Sequence, residues 1–146
     1  MARDSQRSKL YGWERAELKT GRLMPHEDNV PLGEDGAREF LEHVWSDYCP
    51  QLGKPPVIRV MGNRGRGSAW PHKILLSSRY GATQTRWYIL HELAHVIRKR
   101  LPEASWDEAP HGPEFCATYL ELLTRYTAGC GPKLQGSMQG YRLKVS

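Results

Sequence analysis

Apolar positions along this chain recur mostly at helical spacing, with a short alternating stretch near the middle. In residues 4–20, Leu10, Tyr11, Trp13, Glu14 and Leu18 trace a partial stripe, and Gly21 follows as a stop. Residues 21–35 carry Pro25, Pro31 and Gly33 and read as loop. Across 36–48, Phe40, Leu41, Val44, Trp45 and Tyr48 fall on one face of a second helix and belong to the core. His43 beside that stripe, and His26 in the loop, read as surface or packing residues. Pro50 to Pro56 breaks the helix, and Val57–Met61 reads as a strand. Residues 62–67 form a turn whose glycines can take positive φ. A second strand is expected over about 68–77, with Ile74, Leu75 and Leu76 as its apolar part. Pro71 within it favours an edge position or a bulge. Thr83 or Thr85 can cap a third helix that runs to about Arg100, where Pro102 enforces a stop. Residues 101–110 form a loop. The last long helix covers 113–127 with Phe115, Tyr119, Leu122, Leu123 and Tyr126 inward, and Gly129 ends it. Residues 129–146 are glycine-rich. Tyr141, Leu143 and Val145 alternate and could make a short strand, with an irregular tail as the other reading.

The pattern predicts one α+β domain over residues 1–146, a small antiparallel sheet packed on helices. A chain of 146 residues is long enough for one core. Charged residues at 25% and hydrophobic ones at 39% are ordinary for a globular protein. No apolar run approaches the ~20 residues of a membrane span, and no secretory signal is visible. Cys49, Cys116 and Cys130 are odd in number and lack C-x-x-C spacing, which argues against a disulfide framework and a zinc ribbon. A reducing cytoplasm is the expected location, with no membrane partner.

Candidate chemistry centres on His91-Glu92-Leu93-Ala94-His95, inside a run without Pro or Gly. Four residues of α-helix turn through about 400°, so His91 and His95 project from one face, one turn apart. Two imidazoles so placed can grip one metal ion, and Glu92 can act on a metal-bound water. Zn2+ suits imidazole nitrogen and keeps a position open when the protein supplies three ligands. The surrounding apolar residues predict burial, which is costly for two His and a Glu unless they are paired or metal-bound.

Candidates for a third ligand are His111, Glu103, Asp107, Glu108, Glu114 and Glu121. Gly112 and Pro113 suit the cap and first position of a helix, so His111 would stand at its mouth, facing the previous helix. Glu114 falls in the first turn, where a carboxylate favours the helix dipole. It could also accept the free N–H of a ligand His. A rival arrangement has Glu114 or Glu121 as ligand.

The His-Glu-x-x-His helix, a short loop and then His111-Gly112-Pro113-Glu114-Phe115 is similar to the SprT-like metalloproteases, including Spartan-type DNA–protein crosslink proteases. That resemblance implies His91, His95 and His111 as zinc ligands and Glu92 as general base. The opening Arg3–Tyr11 and the run His111–Leu123 resemble a small family of His-Glu-x-x-His metallohydrolases from actinobacteria and their phages. This second resemblance spans most of the chain and brings no substrate with it. Both imply a zincin-like fold, with zinc between the His-Glu-x-x-His helix and the following one. In zincins the strand before the active helix often lies along the substrate cleft, which points to residues 72–78.

Charge is unevenly spread around a net +5. From Lys54 to Arg100 there are ten Lys or Arg and one acid, Glu92, whereas Glu27–Asp47 holds seven acids against Arg38. The basic segment 54–100 is a candidate nucleic-acid surface. Helix-end Arg98, Lys99 and Arg100, and turn residues Arg64 and Arg66, are also ordinary places for cations. The expected function is a zinc-dependent metallohydrolase acting on a peptide or protein substrate. Tyr119, Tyr126, Tyr80 and Arg125 are candidates to stabilise the oxyanion. The alternative is a non-catalytic, zinc-stabilised module that binds DNA or protein, its metal closed by a fourth ligand such as Cys116 or Asp107. Cys116, five residues past His111, should point elsewhere.

Overall fold

The stretch that carries the His-Glu-x-x-His motif becomes the central helix. In a computed structural model that describes residues 4–62, 66–102 and 108–146, α3 spans Arg86–Arg100 and is buried on nearly all sides. Thr85 caps it in extended geometry. The Thr85 hydroxyl turns back to the Ala82 carbonyl (2.9 Å), while its own carbonyl accepts the Ile89 N–H. Around this axis lie α1 (Arg7–Trp13), α2 (Gly33–Tyr48), α4 (Pro113–Tyr126) and α5 (Gly131–Gly140). The fold is α+β, as the sequence predicts.

The first predicted helix forms but changes pitch. After Trp13 the hydrogen bonds reach five residues back, from Lys19 N–H to the Glu14 carbonyl (2.9 Å), over Glu14–Leu18. Such wide turns gather at functional sites, and this one places Glu14 against α3. Leu10, Trp13 and Leu18 are fully buried. Trp13 meets the edge of Tyr119, and its indole N–H finds Ser137 Oγ at 2.9 Å. Indole groups of Trp45 and Trp87 likewise reach the Gly53 carbonyl and Asn29 Oδ1, as buried indoles require.

The sheet departs from expectation. Its strands β1 (Val57–Val60), β2 (Ser68–Trp70) and β3 (Lys73–Leu76) lie in the order β1-β3-β2. β3 pairs antiparallel with β2 but parallel with β1, so the sheet is mixed. Pro71 neither bulges nor edges one long strand. It opens a two-residue turn, Pro71-His72, that folds the predicted strand into a hairpin. β3 thereby takes the middle slot, and the edge strand beside α3 is β2, not residues 72–78. Ile58, Ile74 and Leu76 face the helices, while Val57 and Trp70 face outward. Gly67, before β2, has no room for a Cβ, which would lie 2.9 Å from the Leu75 carbonyl and 3.1 Å from the Tyr88 ring. Of the predicted turn 62–67, residues 63–65 lie outside the described residues.

The C-terminal stretch is irregular only in part: residues 141–146 have no regular structure, but residues 131–140 are helical. Pro132 starts α5, whose Leu134 and Met138 are buried. The chain then returns to the N-terminus through Gln6, only 4% exposed. Gln6 accepts the Lys144 N–H and donates to the Lys144 carbonyl (3.2 Å) and the His111 carbonyl (3.0 Å). One side chain thus ties both chain ends to the third predicted ligand. Substituting Gln6→Ala leaves these backbone groups without partners and should cost about 1–3 kcal/mol. Urea unfolding should show a lower midpoint at an unchanged slope.

Candidate metal centre

Among the described residues, His91, His95 and His111 bring one ring nitrogen each to within 4.8 Å of one another. His91 and His95 come from one face of α3, and His111 from the residue before the α4 cap, Gly112. Pro113 sits at the first turn of α4, as the sequence predicts. His95 Nε2 and His111 Nε2 are 3.1 Å apart. Two lone pairs cannot face each other at that distance without a proton or a cation between them.

The outer ring nitrogens are held by carboxylates. Glu14 Oε2 lies 2.6 Å from His91 Nδ1, and Asp4 Oδ2 lies 2.8 Å from His111 Nδ1. A carboxylate partner puts the hydrogen on Nδ1 and turns Nε2 inward as the donor atom, the pattern that orients imidazole ligands around a metal. Tyr119 donates a second hydrogen bond to Glu14 Oε2 (2.7 Å). The His91 ring is nearly parallel to those of both Tyr11 and Tyr88. Tyr88 is fixed in turn by accepting the Gly67 N–H at 2.6 Å. This donor set fits a metal ion: three imidazoles converge, and two have their second nitrogen already occupied.

Electrostatics follow from burial and these partners. Burial alone would lower the pKa of His91, but the charge and hydrogen bond of Glu14, with the charge of Glu92, raise it above its ordinary value. His95 lies well below the usual range, through burial first and then its two neighbouring histidines. His111 is also lowered by burial, against the pull of Asp4. Burial raises the Glu92 carboxyl, and Glu14 adds to this, while His91, Lys99 and Arg66 oppose it.

A cleft of ≈ 840 Å³ opens onto the cluster, with His95, His111, Glu92 and Tyr11 in its wall. Glu92 is 4% exposed and has no hydrogen-bond partner among the described residues. Arg7, Arg66, Arg98 and Lys99 also line the cleft. Several cations of the basic segment 54–100 are engaged by protein groups. Arg98 forms a two-pronged pair with Glu108 (2.8 and 2.7 Å), and Arg86 approaches the buried Asp28 at 3.5 Å. Arg100 donates to the carbonyls of Leu52, Lys54 and Pro71 and packs over Trp45. These cations hold elements together.

Several sequence candidates stand elsewhere. Glu108 is engaged by Arg98, Glu121 is exposed and paired with Arg125 (3.9 Å), and Glu114 is outside the cluster. The carboxylates behind the histidines are Glu14 and Asp4, where the sequence suggested Glu114. Cys116 points away, toward Gln6 and the His111 carbonyl, and burial pushes its thiol up to about 12. Glu103 and Asp107 lie outside the described residues. None of Tyr80, Tyr119, Tyr126 and Arg125 lines the cleft. Tyr119 is committed to Glu14, while Tyr126 and Arg125 bond Asp47. Comparison with family models, curated proteins and solved structures gave no match.

Replacing His111→Ala should remove most of a bound metal. Glu14→Gln and Asp4→Asn should each weaken metal affinity by about 10–100-fold, because imidazole orientation and basicity depend on these partners. Chelator competition reads both. Acid should also strip the metal, since protons compete for the same imidazole nitrogens. Retention titrated from about pH 8 to about pH 5 should therefore fall as pH falls. Full retention at the acid end would require ligands other than histidine.

Proposed function

We propose that this chain is a zinc-dependent metallohydrolase of the zincin type, acting on peptide bonds. The carrying observation is the convergence of three imidazoles beside Glu92, a carboxylate in the cleft wall that forms no hydrogen bond among the described residues and so is free to act on a molecule in the cleft. The order of motifs, two histidines on one helix and a third before the next, supports kinship with SprT-like metalloproteases and with the His-Glu-x-x-His metallohydrolases of actinobacteria and their phages.

Imidazole nitrogen suits zinc. Tetrahedral ligands at zinc–nitrogen lengths of about 2.0–2.1 Å stand roughly 3.3 Å apart, close to the 3.1 Å between His95 and His111. His91, His95 and His111 would hold the ion. When bound, zinc supplies Lewis acidity toward water and the scissile carbonyl. Glu92 then takes a proton from the attacking water on its carboxylate and passes it to the leaving amine. Glu14 and Asp4 keep the imidazoles in one tautomer and orientation. The rings of Tyr11, Tyr88 and Phe115 pack against His91 and fix its position. The cleft lies within the size range of ligand pockets, ~300–1,000 Å³. A structural zinc is usually closed by four protein ligands. Three converge among the described residues, which favours catalysis over a zinc-stabilised binding module.

Substituting Glu92→Gln should preserve fold and metal, since Gln is nearly isosteric and Glu92 is not a ligand. Hydrolysis should fall by at least the ~100-fold typical of losing a general base. Metal content, circular dichroism and peptide cleavage on one sample provide the test. Unchanged cleavage would remove the mechanism, and lost zinc would make Glu92 a ligand.

A further inference from the structure

We infer that the Tyr11 hydroxyl is the donor that stabilises the oxyanion formed at the scissile carbonyl, a role that rests on the hydrolase reading above. Three tyrosine rings pack directly against His91: Tyr11, Tyr88 and Tyr119. Tyr119 donates its hydroxyl proton to Glu14, and Tyr88, whose oxygen accepts the Gly67 N–H, is not in the wall of the cleft. The Tyr11 hydroxyl has its partner in the cluster itself: it stands at hydrogen-bond distance, 3.5 Å, from His111 Nε2, the nitrogen that faces His95, and a metal on that nitrogen would free its O–H.

Its position is built. The Tyr11 ring lies nearly parallel to His91 (14°, centroids 5.8 Å apart) and presents an edge contact to His111 at 5.2 Å. Arg7, one helical turn earlier, stands over the same ring at 5.7 Å. Cleft wall and histidine cluster therefore meet at this hydroxyl, and Glu92 lines the same cleft. A carbonyl oxygen developing negative charge at the cluster needs a donor that is fixed before the reaction, since preorganised donors cost no rearrangement in the transition state. Tyr11 supplies an O–H on a ring held by two ligand imidazoles. The step is a hydrogen bond only: the tyrosine keeps its proton, and Glu92 handles the proton of the water.

The test is Tyr11→Phe, which keeps the ring and removes the hydroxyl. Cleavage of labelled casein should fall by about 100-fold or more, the usual loss for one oxyanion donor, with zinc content unchanged. A second readout avoids turnover. In the cobalt-substituted protein, acetohydroxamate presents an anionic oxygen to the metal, and its binding is followed by the visible absorption bands. Tyr11→Phe should weaken that binding by about 10-fold or more while leaving the bands of the resting protein unaltered. Unchanged hydroxamate affinity overturns the inference, whether or not casein is cleaved. Altered resting bands or lost metal also overturn it, by making the hydroxyl a ligand. Glu92→Gln separates the two levels. Equal cleavage by Glu92→Gln and the parent chain defeats the hydrolase reading. Loss of cleavage in Glu92→Gln with none in Tyr11→Phe defeats only the role of Tyr11.

Discussion

A carboxylate 5% exposed in a helical core needs donors, and Glu14 has two, His91 Nδ1 and the Tyr119 hydroxyl. Burying such a group is costly unless every partner is in place. The requirement runs both ways, because His91 is itself 2% exposed. The first helix, α3 and α4 must therefore meet in one relative position. The wide turn at Glu14–Leu18 and the edge contact between Trp13 and Tyr119 both serve that meeting.

A second clamp closes the opposite side of the cluster. Asp4 holds His111 by its ring, and Gln6 holds the same residue by its backbone carbonyl. Gln6 also joins the chain near Lys144, and the Ser146 N–H reaches the Pro113 carbonyl. His111 is thus fixed from the N-terminal segment, the C-terminal segment and the rigid Gly112-Pro113 entry to α4. The hairpin wall is secured separately, by Lys99 on the Ala69 carbonyl and Arg100 on that of Pro71. These contacts make the end of α3 a brace for the strands that border the cleft.

Much of the site was legible in the sequence because its signals are local. His91 and His95 share a face through helical geometry alone, and Gly112-Pro113 marks a helix entry whatever surrounds it. The carboxylates behind the imidazoles were not legible, because their pairings span 77 and 107 residues. A clue to one was present: Glu14 falls on an otherwise apolar stripe, where an acid requires a buried partner. Strand direction was missed because alternation carries no information about parallel or antiparallel pairing. Pro71 was ambiguous between a bulge and a hairpin corner. Gly136 and Gly140 weaken the helical signal of α5, which is stabilised instead by the burial of Leu134 and Met138.

The long reach of those carboxylate pairings also bears on how the chain assembles. Contacts distant in sequence carry a closure entropy that must be met before they contribute. During synthesis Asp4, Gln6 and Glu14 emerge early, yet their partners follow only after about a hundred further residues, roughly five to twenty seconds at ribosomal rates. Until then Glu14 remains hydrated, and the apolar stripe of its helix has no fixed surface to cover. His91 and His111 likewise gain their orienting partners only when the N-terminal segment packs against them. A metal held by the three histidines would therefore reach its final geometry late, and a completed centre would report that the early and late halves of the polypeptide have found each other.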